Sequence, residues 1–148
     1  MDTLRTYWSN TKKMPFLLRM LCGGGMVVGP IFLVFVVFPI ADWTFNGTKM
    51  SYSELWRSGA GLIMVILFGL VTIGTWGMAA RKPNSRWALV LAPSAPVILA
   101  LAFPQLQSTF PLDAVFFLQV IITPVIIYGC LFHLASVREY LGNGRTAS

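Results

Sequence analysis

The chain has 148 residues, 56% of them hydrophobic and only 11% charged, with a mean hydropathy of +0.72. Soluble domains carry roughly 25% charged residues, so too few charges remain to solvate a globule of this size, and a large water-soluble core is excluded. The net charge of +6 falls beside apolar runs and within no RNA- or DNA-binding motif, so anionic lipid headgroups, not nucleic acid, are the expected counter-charge.

Residues 1–19 are too polar to span a bilayer and form a basic cytoplasmic segment. Leu4, Tyr7 and Trp8 share one helical face, and Lys12 and Lys13 follow. That pattern predicts a short helix lying on the membrane surface, with Pro15 ending it or opening the next one. Four apolar runs follow, at about residues 20–40, 59–80, 87–103 and 112–134. About 20 apolar residues cover a hydrocarbon core of roughly 30 Å. The first run exceeds the roughly 7–15 residues of a cleavable signal core and reads as a retained span. The third is short and contains Pro93 and Pro96, so a broken or re-entrant helix is its alternative. The expected fold class is all-α: a polytopic membrane protein, a bundle of four transmembrane helices over 20–134 with a short outer amphipathic helix. Residues 135–148 form a cytoplasmic tail.

Orientation follows from the basic residues. The N-terminal segment (Arg5, Lys12, Lys13, Arg19), the second connection (Arg81, Lys82, Arg86) and the tail (Arg138, Arg145) hold nine of eleven, while the third connection has none. This predicts an inner-membrane, multi-pass chain with both termini cytoplasmic, in a compact, basic-flanked architecture that reads as bacterial. Trp8, Trp43, Trp56, Trp76 and Trp87 all fall near expected span ends, where an indole ring is dehydrated while its N–H stays wet.

The first outer connection carries a helix start. Ser51 can cap the amide of Glu54 and Glu54 can reach back, a capping box, with Met50 and Leu55 at the flanking hydrophobic positions. The helix through Arg57 either continues into the second span or turns at Gly59. Asn46-Gly47 reads as a turn.

Within the spans, Gly25 and Gly29 form a GxxxG pair, which allows close helix packing within the bundle or self-association into a homo-oligomer. Gly61, Gly69, Gly74 and Gly77 mark the second span in the same way. In the fourth span Gln119, Thr123, Ile126, Cys130 and His133 share one helical face. That polar stripe is expected to face the bundle interior or a partner helix, with a kink at Pro124, which leaves the Val120 carbonyl without its usual donor.

No Asp, Glu, Lys or Arg occupies a span centre; Asp42 and Asp113 sit at outer span ends. Pumps and ion-coupled transporters place ionisable groups there. His133 is the sole histidine and lacks a ligand set for zinc; Cys22 and Cys130 lie in apolar runs and read as packing residues. No hydrolase or protease motif occurs. The chain is thus expected to be neither an enzyme nor a cofactor protein. The expected function is protein–protein interaction in the bilayer with a membrane or periplasmic protein, as an accessory or immunity-type protein, one concrete version being immunity against a membrane pore-forming toxin. The candidate interaction residues are Gln119, Thr123, His133, Ser51, Glu54 and Arg57. A small transporter or channel subunit for a neutral substrate is the alternative, and a membrane enzyme has the least support.

Overall fold

The computed structural model describes residues 2–40, 42–45, 48–102 and 114–142. The Asn46-Gly47 turn, the third connection with Asp113, and the tail beyond Gly142 lie outside the described residues. The chain is mostly helical. Its elements are α1 (Asp2–Lys12), α2 (Phe16–Val37), a hairpin of β1 (Trp43–Phe45) and β2 (Thr48–Met50), α3 (Tyr52–Arg57), α4 (Ala60–Ala79), α5 (Ser85–Leu91), a 3-10 turn (Ala92–Ser94), α6 (Ala95–Ala102), α7 (Ala114–Tyr128), a π-helical turn (Gly129–His133) and α8 (Ala135–Gly142). An antiparallel hairpin, in register Trp43↔Met50 and Phe45↔Thr48, adds two short strands to the mostly helical chain.

Prolines and one glycine set the boundaries. Pro15 sits at the start of α2 with ψ 147°, and Phe38, which precedes Pro39, ends it in an extended conformation at φ −110°, ψ 142°. The proline ring disfavours helical backbone at the residue before it, so α2 stops short of the expected Ile40. Gly59 turns the chain between α3 and α4 at φ 82°, a left-handed conformation that glycine adopts without a Cβ clash. After α4 the amide of Lys82 donates to the Gly77 carbonyl at 2.8 Å and that of Arg81 to Met78 at 3.0 Å. This is the Schellman pattern, which favours glycine at the left-handed position; here Arg81 holds it, at φ 57°.

Among the described residues two helices, α2 and α4, are long and apolar enough to cross a membrane, and a bent pair raises the number to three. Only 17% of the most apolar stretch of α2 and 33% of that of α4 is buried within the protein. Exposed apolar surface costs about 25 cal/mol per Å² in water, so surfaces of this extent are compatible with membrane insertion.

The other two expected spans depart from single long helices. The third is divided into α5, the 3-10 turn and α6, because Pro93 and Pro96 each lack the N–H that would continue the ladder. In the fourth, α7 continues through Pro124. The sharp change comes later, where Leu134 is extended at ψ 121° and α8 departs at 58° from the preceding segment.

The α2–α4 contact is the centre of the fold. A Cβ on Gly25 would lie 2.5 Å from Thr75 Cγ2, and one on Gly29 would collide with Thr72 Oγ1 and sit 3.3 Å from the Thr72 backbone nitrogen. Thr72 and Thr75 return their hydroxyls to the carbonyls of Phe68 and Val71 in their own helix at 2.7 and 2.8 Å. Their polarity is thereby absorbed locally. Lower on the same seam, Trp76 Nε1–H donates to the Met26 carbonyl at 3.3 Å. Met26 is four residues before Pro30, whose missing N–H leaves that carbonyl open. The indole supplies the missing donor.

Two apolar clusters close the ends. At one, Val36, Leu55, Ala60 and Met64 pack with Trp43, Met50 and Phe68. At the other, Leu18, Cys22, Met78, Leu89, Leu131 and Tyr140 pack together. There the last carbonyls of α4 are met from both sides: Asn10 Nδ2 of α1 donates to Ala79 at 3.1 Å, and the Tyr140 hydroxyl of α8 lies 3.5 Å from the Met78 carbonyl and 3.4 Å from that of Asn10. The first and last described helices, α1 and α8, therefore meet at the α4–α5 turn.

Gly29→Val is expected to destabilise the fold by about 1–3 kcal/mol through overpacking. Gly24→Ala, with nothing within 4 Å of its Cβ position, is expected to be neutral or slightly stabilising; SDS-titration unfolding in micelles measures both. Trp76→Phe leaves the Met26 carbonyl without a donor and is expected to cost about 1–3 kcal/mol. Adding Pro30→Ala restores a backbone donor, so a double-mutant cycle read by the same unfolding assay should recover part of that loss.

Candidate interaction surface

The end of the molecule opposite α1 and α8 presents α3 on a rigid base. The capping box is complete: the Glu54 amide approaches Ser51 Oγ at 3.4 Å, and the Ser51 amide and hydroxyl donate to Glu54 Oε2 at 2.8 and 2.7 Å. Of the six residues of α3 only Leu55 is buried; Tyr52, Ser53, Glu54, Trp56 and Arg57 are exposed. Leu55 anchors the helix in the cluster with Val36 and Met50. The Tyr52 hydroxyl donates to the Val37 carbonyl at 2.7 Å, capping the last turn of α2. Tyr52 and Trp56 lie edge to face, centroids 6.3 Å apart. The hydrogen bonds from Ser51, with a smaller contribution from Arg57, hold the Glu54 carboxyl below its ordinary range. Ser51, Glu54 and Arg57 therefore lie together on one short, fixed element with two aromatic rings.

The fourth-span residues are brought together only in part. Ile126 and Cys130 line one groove against α2, whereas Thr123 and His133 are exposed. The side chain of Gln119 lies outside the described residues. The π-turn over Gly129–His133, with its wider i→i+5 repeat, turns His133 away from the direction that a uniform α-helix would give it. His133 instead packs edge-on to the Tyr128 ring at 5.6 Å. The carbonyl of Leu131, within that turn, receives Arg86 at 3.4 Å.

Gly25 and Gly29 face α4, where the threonines fill the space against them. Three of the five tryptophans, Trp8, Trp56 and Trp87, are exposed. Trp76 turns inward to Met26, and the Trp43 Nε1 is buried with no hydrogen-bond partner among the described residues. The role of Trp76 was readable from Pro30, which vacates one specific carbonyl. The hairpin was readable from Asn46-Gly47 between runs of aromatic and β-branched residues.

Cys22 is buried, and both cysteines are free. Among the described residues no group of three His, Cys, Asp or Glu side chains converges on a metal position. Comparison with known protein families, curated proteins and solved structures finds no match to this chain.

Ser51→Ala is expected to cost about 1 kcal/mol of stability at the start of α3. Because the folded carboxyl of Glu54 sits below its ordinary value of 4.5, its bonds to Ser51 are at full strength above that value and weaken as pH falls through the lowered one. The hydrogen-exchange protection factor of the Ser51 amide should therefore be flat above pH 4.5 and drop below it, and Glu54→Gln should abolish the pH dependence.

Proposed function

We propose that the chain is an integral inner-membrane protein of four membrane-crossing segments, with both termini cytoplasmic, that acts by binding a membrane or periplasmic protein. The convergence of α1, the α4–α5 turn and α8 at one end supports this orientation. It gathers Lys12, Lys13, Arg81, Lys82, Arg86 and Arg138 on one side, as basic residues distribute on the cytoplasmic side. It also fits an even number of crossings.

The observation that carries the binding role is α3. A helix with one buried anchor and an exposed Tyr52, Trp56 and Arg57 concentrates the residue types that dominate protein-binding energy. It is already ordered by its capping box, so little conformational entropy is lost on docking. Pumping or proton coupling finds no support, because no ionisable residue lies at the middle of α2, α4 or α7. One concrete form of the role is immunity: the chain blocks a pore-forming toxin within the same bilayer. This form rests on architecture, a small basic multi-span protein without catalytic groups.

Cells lacking the chain are expected to die when a toxin encoded beside it is expressed, and to survive when the chain is restored. A Trp56→Ala/Arg57→Ala double variant should reach the membrane at normal levels yet lose protection. Unchanged survival without the chain would overturn the immunity form. Solute flux through liposomes containing the purified chain alone would favour a transporter of neutral substrates instead.

A further inference from the structure

A strained arginine lines a basic cavity beside an apolar groove at the α1–α8 end. The cavity has a volume of about 420 Å³ and is lined by Lys13, Arg81, Ser136, Glu139 and Tyr140. It lies between the α1–α2 turn, the α4–α5 turn and α8. The groove, lined by Leu17, Leu21, Ile126, Cys130 and Leu134 and almost wholly apolar, runs between α2 and the α7–π segment. The two adjoin in sequence on both walls: Pro15 of the cavity precedes Leu17 of the groove, and Val137 of the groove follows Ser136 of the cavity.

Arg81 marks the cavity as more than a gap between helices. A non-glycine residue in the left-handed region costs on the order of 1 kcal/mol, and at this helix end glycine would remove that cost. An arginine kept there against its backbone preference points to a use for its guanidinium. Arg81 lies over the Tyr140 ring at 4.9 Å, and its Nε is buried with no hydrogen-bond partner among the described residues. Two other arginines at this end are engaged by backbone carbonyls. Arg19 donates to the carbonyls of Lys12 and Met14, and Arg86 donates to those of Pro83 and Leu131.

We propose that Lys13, Arg81 and Ser136 bind the phosphate of an anionic phospholipid whose acyl chain lies in the groove between α2 and the π-turn. Two cations against the single carboxylate of Glu139 leave a net positive cavity at the headgroup level, and basic pockets between spans on that side suit anionic headgroups. The groove supplies the apolar wall that a free phosphate would not need. The inference rests on the membrane placement proposed above.

The test is thermal unfolding of the full chain in dodecylmaltoside micelles doped with phosphatidylglycerol, with phosphatidylcholine, or given sn-glycerol 1-phosphate alone. Phosphatidylglycerol is expected to raise the midpoint by about 4 °C at tenfold excess over its dissociation constant, phosphatidylcholine by clearly less, and glycerol phosphate not at all. Arg81→Gly relieves the backbone strain while removing the cation, so it is expected to keep or raise the lipid-free midpoint yet lose the phosphatidylglycerol increment. Lys13→Gln should lose most of that increment, and Arg5→Gln, outside the cavity, should keep it. Equal increments from the two lipids, or an increment surviving in Arg81→Gly, would overturn the proposal. Glycerol phosphate matching phosphatidylglycerol would also overturn it, in favour of a bare anion site. Release of the chain from membranes by alkaline carbonate would instead remove the placement on which the inference rests.

Discussion

The architecture depends on how closely α2 can approach α4. In a bilayer, apolar side chains gain nothing by leaving lipid for one another, so association of spans rests on close packing and on hydrogen bonds. Gly25 and Gly29 supply the first by presenting bare backbone to Thr75 and Thr72. Trp76 supplies the second by bonding the one carbonyl that Pro30 leaves open. These two devices fix the depth and the rotation of one helix against the other. Helices α1, α3, α5 and α6 are placed against α4, while α7 packs on α5 and α8 on the π-turn.

Away from that seam the apolar cores sit at the ends. The cluster around Leu55 seats the hairpin and α3, and the larger cluster around Leu18 and Met78 joins α1, α2, α4, α5, the π-turn and α8. This division matches the two surfaces described above. One end presents a small ordered helix, and the other presents cationic and apolar walls. The middle is left to glycine, threonine and exposed aliphatic residues.

Features governed by local chemistry were legible in the sequence. The helix before Pro15, the capping box at Ser51, the turn at Gly59 and the two long apolar helices each depend on residues within a few positions of one another. Features governed by a distant partner were not. The inward turn of Trp76 depends on Met26, fifty positions away. The direction of His133 depends on a π-turn whose Leu131 carbonyl receives Arg86; a uniform 100° per residue cannot anticipate it. The proline pairs separate in the same way. Pro93 and Pro96 divide a short helix, whereas Pro124 is accommodated within α7, and the break is deferred to Leu134. The candidate residues divide along this line too, with Ser51, Glu54 and Arg57 grouped at α3 and Thr123 and His133 exposed on the fourth segment.

The clasp between α1 and α8 fixes a sequence of events during synthesis. Its partners, Asn10 and Tyr140, are separated by 130 positions, so the Asn10 side can wait for most of translation before its counterpart exists. The α2–α4 seam needs only residues up to about 79 and can close while α5 and the segments after it are still being synthesised. Leu18, Cys22 and Met78 then form a half-built cluster until Leu131, Val137, Tyr140 and Leu141 arrive to cover it. The last described helix thus covers a core whose other walls are synthesised first. A chain halted before it would leave that apolar cluster open.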